Sequence, residues 1–156
     1  GMQPIVGYNF GAQKIDRVKQ TLKLGIVSGV VITSSGFFIC ELFPHAVSAI
    51  FTDSDHLIDL AVDGLRITVI MFPFVGAQIV IGNFFQSIGK AKISIFLSLT
   101  RQLLYLLPCL LLFPNWWGLK GIWISMPVSD ALAFITAVIS LIIYIKKVSK
   151  QHLIAE

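Results

Sequence analysis

At 156 residues the chain has the length of one soluble domain, but 56% hydrophobic and 13% charged residues lie far from the soluble balance of roughly half apolar and a quarter charged. The formal charge of +4 does not point to nucleic acid, because the bases fall in short clusters between long apolar runs, a pattern of membrane topology. Cys40 and Cys109 both lie inside apolar runs, which argues against a disulfide framework or a metal site and predicts buried, inert thiols.

Residues 1–12, GMQPIVGYNFGA, read as the end of a helix that begins upstream, and the chain is expected to be a C-terminal piece of a longer protein. Crossing the hydrocarbon takes about 20 apolar residues at about 1.5 Å of rise each. Four runs qualify: 24–44, with Glu41 near its end; 67–89, free of charge; 93–113, with Arg101; and 121–145, with Asp130. The expected fold is all-α, a polytopic membrane helical bundle with four full transmembrane helices plus the end of a preceding one, and a tail over 146–156.

The connecting charges are sorted. Lys14, Arg17, Lys19, Lys23, Lys90, Lys92, Lys146, Lys147 and Lys150 share one side if each run crosses once. The other side receives 45–63, with Asp53, Asp55, Asp59 and Asp63 but no Lys or Arg, and the turn PNWWGLK, with Lys120 alone. Nine bases against one predict a cytoplasmic C-terminus in a multi-pass plasma-membrane protein. Trp116, Trp117 and Trp123 mark the outer boundary and Tyr144 the inner one. FTDSDHLID reads as an outer loop entering a helix, with Thr52 or Asp53 as N-cap.

Several residues interrupt the runs. Pro73, Gly76, Pro108 and Pro127 imply either packing kinks or flexing, cavity-lining helices. A mid-span Asp costs about 2.5–3.5 kcal/mol on the insertion scale, so Asp130 is either a local cap behind Pro127 and Ser129 or a functional carboxylate. Arg101 lies about 13 Å of rise above the start of its run and Asp130 roughly 10 Å higher, so inward snorkelling competes with a marginal direct pairing. Gln78, Gly82 and Gln86 recur every four residues with Asn83 alongside. That stripe implies either interhelical hydrogen bonds or, with Pro73, the lining of a water-filled cavity.

No HExxH, GxSxG, phosphate loop or Cys/His constellation is present, so neither an enzyme nor a cofactor is expected. His45, His56 and His152 fall in loops or the tail and read as solvated.

The opening segment GMQPIVGYNFGAQKIDRVKQTL resembles the multidrug and toxin extrusion (MATE) family, at the cytoplasmic end of the second helix of its C-terminal lobe. There Gln3-Pro4, Gly7-Tyr8-Asn9 and Gly11-Ala12 match a pattern that runs into a basic loop. FFQSIGKAKISIFLSLTRQLLYLLPCLLLFP and GLKGIWISMPVSDALAFITAV resemble the last three helices in order. The resemblance implies a fold of twelve helices in two lobes, of which this chain holds the end of helix eight and helices nine to twelve. Gly7 and Gly11 would then allow close packing and the helix exit, with Tyr8 and Asn9 at the interface. It also implies antiport of cationic or amphiphilic drugs against protons or sodium, with the bilayer and the other lobe as partners. The sodium-coupled branch carries a carboxylate in the helix corresponding to 67–89; this chain has none there. The coupling ion stays open. The alternatives are a lipid-linked precursor flippase of similar fold, or a non-transporting scaffold or inactive truncated product.

Overall fold

The computed structural model describes residues 1–154, with side chains through Val148, so Lys150 and His152 lie outside the described side chains. The chain is helical in order: α1 (Met2–Gly11), α2 (Ile15–Leu42), α3 (Pro44–Ala49), α4 (Asp55–Thr68), a 3-10 turn (Val69–Met71), α5 (Phe72–Ser87), α6 (Ala91–Leu99), a π-helical stretch (Thr100–Leu106), α7 (Leu107–Trp117) and α8 (Leu119–Ile154). Read as continuous rods, Ile15–Leu42, Asp55–Ser87, Ala91–Trp117 and Leu119–Val148 are each long and apolar enough to cross a membrane. The protein is an all-α, multi-pass membrane bundle, with α1 packed beside the four rods.

The rods run past the apolar stretches, because a helix satisfies its own backbone hydrogen bonds whether lipid or water surrounds it. Hydropathy marks only the part in lipid. The second rod therefore begins at Asp55, twelve residues before its apolar run, and most of the acidic segment is helix rather than loop. Its N-cap is Ser54, not Thr52 or Asp53; the Thr52 hydroxyl instead accepts from the Ser54 N–H at 3.3 Å. Likewise Pro114–Trp117 is helical, and Gly118, at φ 55, makes the reversal. Gly121 lies so close to the Phe113 carbonyl that any side chain there would collide with it. At the other end of the fourth rod, residues 146–154 continue α8.

The prolines sit where the winding changes. Pro73 and Pro108 both fall in the first turn of a helix, α5 after the 3-10 turn and α7 after the π-helical stretch. A proline has no N–H to donate and crowds the carbonyl one turn earlier, so a tighter or wider turn just before it relieves both problems. Pro127 lies inside a continuous α8.

At the lysine-rich end, α1 and α5 stop in the same way. Lys14 N–H donates to Asn9 O at 2.9 Å and Gln13 N–H to Phe10 O at 3.1 Å; Lys90 N–H donates to Phe85 O at 2.8 Å and Gly89 N–H to Gln86 O at 3.2 Å. Each pair is a Schellman closure, which needs one residue in the left-handed region. Gly89 supplies it at φ 74 and, in α1, Gln13 at φ 57. The exit expected at Gly11 is made two residues later, and nothing lies within 4 Å of where a Gly11 side chain would begin.

Lipid tails are as apolar as leucine, so the rods associate through packing rather than through the hydrophobic effect. α2 and α5 make the most extensive pairing, and they cross at Gly29 and Gly76. A Cβ on Gly76 would strike the Gly29 carbonyl and the Thr33 hydroxyl. Toward the lysine-rich end the core gathers Val6, Val18, Leu22, Ile81, Phe84, Phe85, Leu97 and Leu141. Tyr144 packs edge-on against Phe84 and Phe85, with centroids 6.3 and 5.5 Å away. α7 buries none of its residues, and Leu107, Leu111 and Leu112 form a face suited to lipid.

Candidate functional site

The polar side chains within the spans fall into two groups. The first lies between α1 and α5. Gln3 Nε2 donates to Gln86 Oε1 at 3.3 Å on the exposed side of the two helices. Gly7 approaches the Ser87 carbonyl so closely that a Cβ would sit 3.3 Å from it. The Ser87 hydroxyl donates to the Asn83 carbonyl at 2.6 Å, and Asn83 itself is half-buried.

The four-residue spacing of Gln78, Gly82 and Gln86 does not keep them on one face. Each step of four advances the helix by about 40°, so Gln78 and Gln86 differ by roughly 80°. Gln86 is exposed, whereas Gln78 turns into the bundle, 8% exposed, and its Oε1 has no hydrogen-bond partner among the described residues. Pro73 is half-buried one turn from Gly76, and Gly76 itself serves the α2 crossing.

The remaining residues of the opening motif divide similarly. Asn9 is buried among the helices, with Nδ2 donating to the Ile5 carbonyl at 2.8 Å. Tyr8 is 75% exposed, and Pro4, Gly11 and Ala12 are exposed as well.

The second group joins the third and fourth rods. Arg101 Nε donates to Asp130 Oδ1 at 2.8 Å, with the Asp130 side chain 9% and the Arg101 side chain 37% exposed. Asp130 is thus an ion-pair partner and not a cap; the Ser129 hydroxyl is spent on the Met126 carbonyl at 2.8 Å. One turn along, Tyr105 and Thr136 place their hydroxyl oxygens 2.8 Å apart. Thr136 already donates its hydrogen to the Leu132 carbonyl at 2.9 Å, so Tyr105 is the donor. Arg101 and Tyr105 both belong to the π-helical stretch, whose wide winding keeps residues four apart near one face. The rise estimate underrated this pairing because it measured from the ends of apolar runs. Folding the two rods back at Gly118 sets Arg101 level with residue 135, about 7 Å from Asp130 along the axis, which an extended arginine spans.

At the acid-rich end two looser polar contacts tie α4 to its neighbours. Arg66 Nε lies 3.8 Å from Glu41, and His45 Nε2 lies 3.8 Å from Asp59; all four side chains are well exposed, so each pair contributes little. Cys40 and Cys109 are free and half-buried, less enclosed than their apolar surroundings suggested. Sequence reasoning did not find the Gln3–Gln86 or Tyr105–Thr136 contacts, since each joins residues at least 31 positions apart on separate helices.

Four membrane-length rods, an ion pair enclosed between two of them and amides exposed on a third define a polytopic integral membrane protein built around internal polar contacts. The MatE family model matches residues 1–111, and the chain belongs to that family. The multidrug export protein MepA of Staphylococcus aureus (strain MSSA476) is 25% identical over 146 residues, covering 93% of this chain and 31% of that protein. A solved chain bearing the name "protein A" is 39% identical with a TM-score of 0.84, covering 90% of this chain and 31% of its own length. The inward-facing conformation of a multidrug resistance MATE family transporter of the MOP superfamily has the same fold, with a TM-score of 0.89 at 19% identity over 96% of this chain and 35% of that one. The chain therefore spans about a third of the length of the relatives it matches.

Proposed function

We propose that this chain forms part of the C-terminal lobe of an exporter that moves cationic or amphiphilic drugs outward in exchange for protons or sodium ions, with its lysine-rich ends in the cytoplasm. The observation that carries the reading is the Gln3–Gln86 contact beside Asn83, on the exposed side of α1 and α5. Hydrocarbon would leave those amides with unmet donors and acceptors, whereas a water-filled cleft hydrates them and lets their carbonyl oxygens face a cation without a competing charge. The family membership and the printed role of the MepA relatives support the same substrate class.

Alternating access works by one repeat moving against another around a shared site, so the other lobe is the required partner and this chain alone is expected not to transport. A lipid-linked precursor flippase would call for more cationic groups facing the cleft. Here Arg101, the charge within the third run, is neutralised by Asp130.

The test is ethidium efflux from a pump-deficient host producing the full-length protein. Efflux no faster than with empty vector would remove the export reading. Drug movement into liposomes holding only this chain would remove the two-lobe requirement.

A further inference from the structure

At the lysine-rich end a cleft of about 1000 Å³ opens between the end of α1, the α5–α6 turn, the start of α6 and the stretch of α8 from Ser140 to Val148. Its walls are of two kinds. Ile93 and Phe96 of α6 and Ile143 of α8 are apolar, while Lys90, Lys147 and the hydroxyls of Ser140 and Tyr144 are polar. Lys90 and Lys147 are exposed, and among the described residues neither forms a salt bridge. Among the described residues, the surrounding end of the bundle adds Lys14, Arg17, Lys19, Lys23, Lys92 and Lys146 against one acid, Asp16. None of this belongs to the Gln3–Gln86 face or to the Arg101–Asp130 pair.

We propose that this cleft holds one anionic diacyl phospholipid, its headgroup phosphate between Lys90 and Lys147 and an acyl chain along Ile93, Phe96 and Ile143. The charge is complementary, and the cleft lies where the rods leave the apolar layer, so headgroup and chain meet basic and apolar walls in the order a leaflet presents them. Basic pockets between transmembrane helices are a known physical means of selecting anionic headgroups over zwitterionic ones. The inference rests on the bilayer setting alone, so it stands or falls separately from drug export.

The experiment is native mass spectrometry of the purified full-length protein in detergent titrated with phosphatidylglycerol, phosphatidylcholine or inorganic phosphate. Phosphatidylglycerol is expected to bind as a single retained adduct, at least about tenfold tighter than phosphatidylcholine. The double variant Lys90→Gln/Lys147→Gln should lose that preference, while Lys92→Gln/Lys146→Gln, which removes the same charge one or two residues away, should change affinity less than about twofold. Equal loss in both variants would show diffuse attraction to the basic end and overturn the site. Equal binding of phosphatidylcholine would reduce it to an apolar groove. Inorganic phosphate displacing phosphatidylglycerol at equal concentration would make it a free-anion site, and each of these results rejects a site selective for an anionic phospholipid.

Discussion

Arg101 and Asp130 lie on neighbouring rods 29 positions apart and meet through a 2.8 Å charge-assisted hydrogen bond, with the carboxylate almost wholly enclosed. Each partner makes the other tolerable inside the bundle. Removing one leaves an uncompensated charge in low dielectric, which typically costs about 3–5 kcal/mol. The lower end applies here, since the Arg101 side chain is 37% exposed and partly hydrated.

The single substitutions Arg101→Met and Asp130→Leu are therefore expected each to destabilise the bundle by about 3 kcal/mol, and the double substitution to recover most of that loss. Unfolding in detergent micelles, arranged as a double-mutant cycle, measures the coupling. Simple additivity would mean that the two side chains do not depend on each other. In the full-length protein, Asp130→Asn should also reduce ethidium efflux more than Asp53→Asn does, because Asp53 lies in the exposed loop before α4.

Gly76 and Gly82 share α5 but not surroundings. A methyl group on Gly76 runs into the Gly29 carbonyl, while one on Gly82 meets nothing within 4 Å. Backbone cannot move aside as a flexible side chain can, so Gly76→Ala should destabilise the α2–α5 pairing by about 1–3 kcal/mol. Gly82→Ala should be neutral, or stabilise by up to about 1 kcal/mol, because alanine loses less backbone entropy in a helix. Thermal unfolding of the two variants side by side decides this; a larger loss at Gly82 would contradict the crossing geometry.

These contrasts show what was legible in the sequence and what was not. Apolar runs of membrane length carry the all-α membrane class and its four rods, because both follow from the order of apolar residues along the chain. Helix ends were less readable: Asp55 to Thr68 is helix in spite of its polarity, and hydropathy has no term for a helix that continues into water. The Gln78–Gln86 stripe failed for a geometric reason, the 40° drift per four residues, which a wheel projection would have shown. The Arg101–Asp130 pair is hard to read from sequence because neither the π-helical winding nor the depth at which two antiparallel rods register against each other is written in a run length.

Gln13 occupies the left-handed position of the α1 closure that Gly89 occupies in α5. For a residue with a Cβ that conformation costs about 1–2 kcal/mol, part of which glycine would return. Gln13→Gly is thus expected to stabilise the chain by about 0.5–1 kcal/mol, and Gly89→Ala to destabilise it by a comparable amount. The pair of unfolding midpoints checks the sign at both ends, and a loss on Gln13→Gly would mean that the glutamine side chain contributes more than its backbone strain costs.

Gln86 bears most directly on the proposed export. Its side chain is exposed on the α1–α5 face, where it accepts from Gln3, so its replacement disturbs no enclosed packing. Gln86→Leu in the full-length protein should leave the unfolding midpoint nearly unchanged. If the face lines the drug pathway, the substitution withdraws an acceptor from a cationic ligand, and one lost hydrogen bond of about 1 kcal/mol corresponds to roughly fivefold weaker apparent affinity for ethidium. A face that only touches lipid would respond oppositely, since leucine suits hydrocarbon better than an amide: stability would rise and efflux would not change. Measuring the concentration dependence of efflux together with the midpoint separates the two, and a stabilised variant with unaltered efflux would take this face out of the transport route.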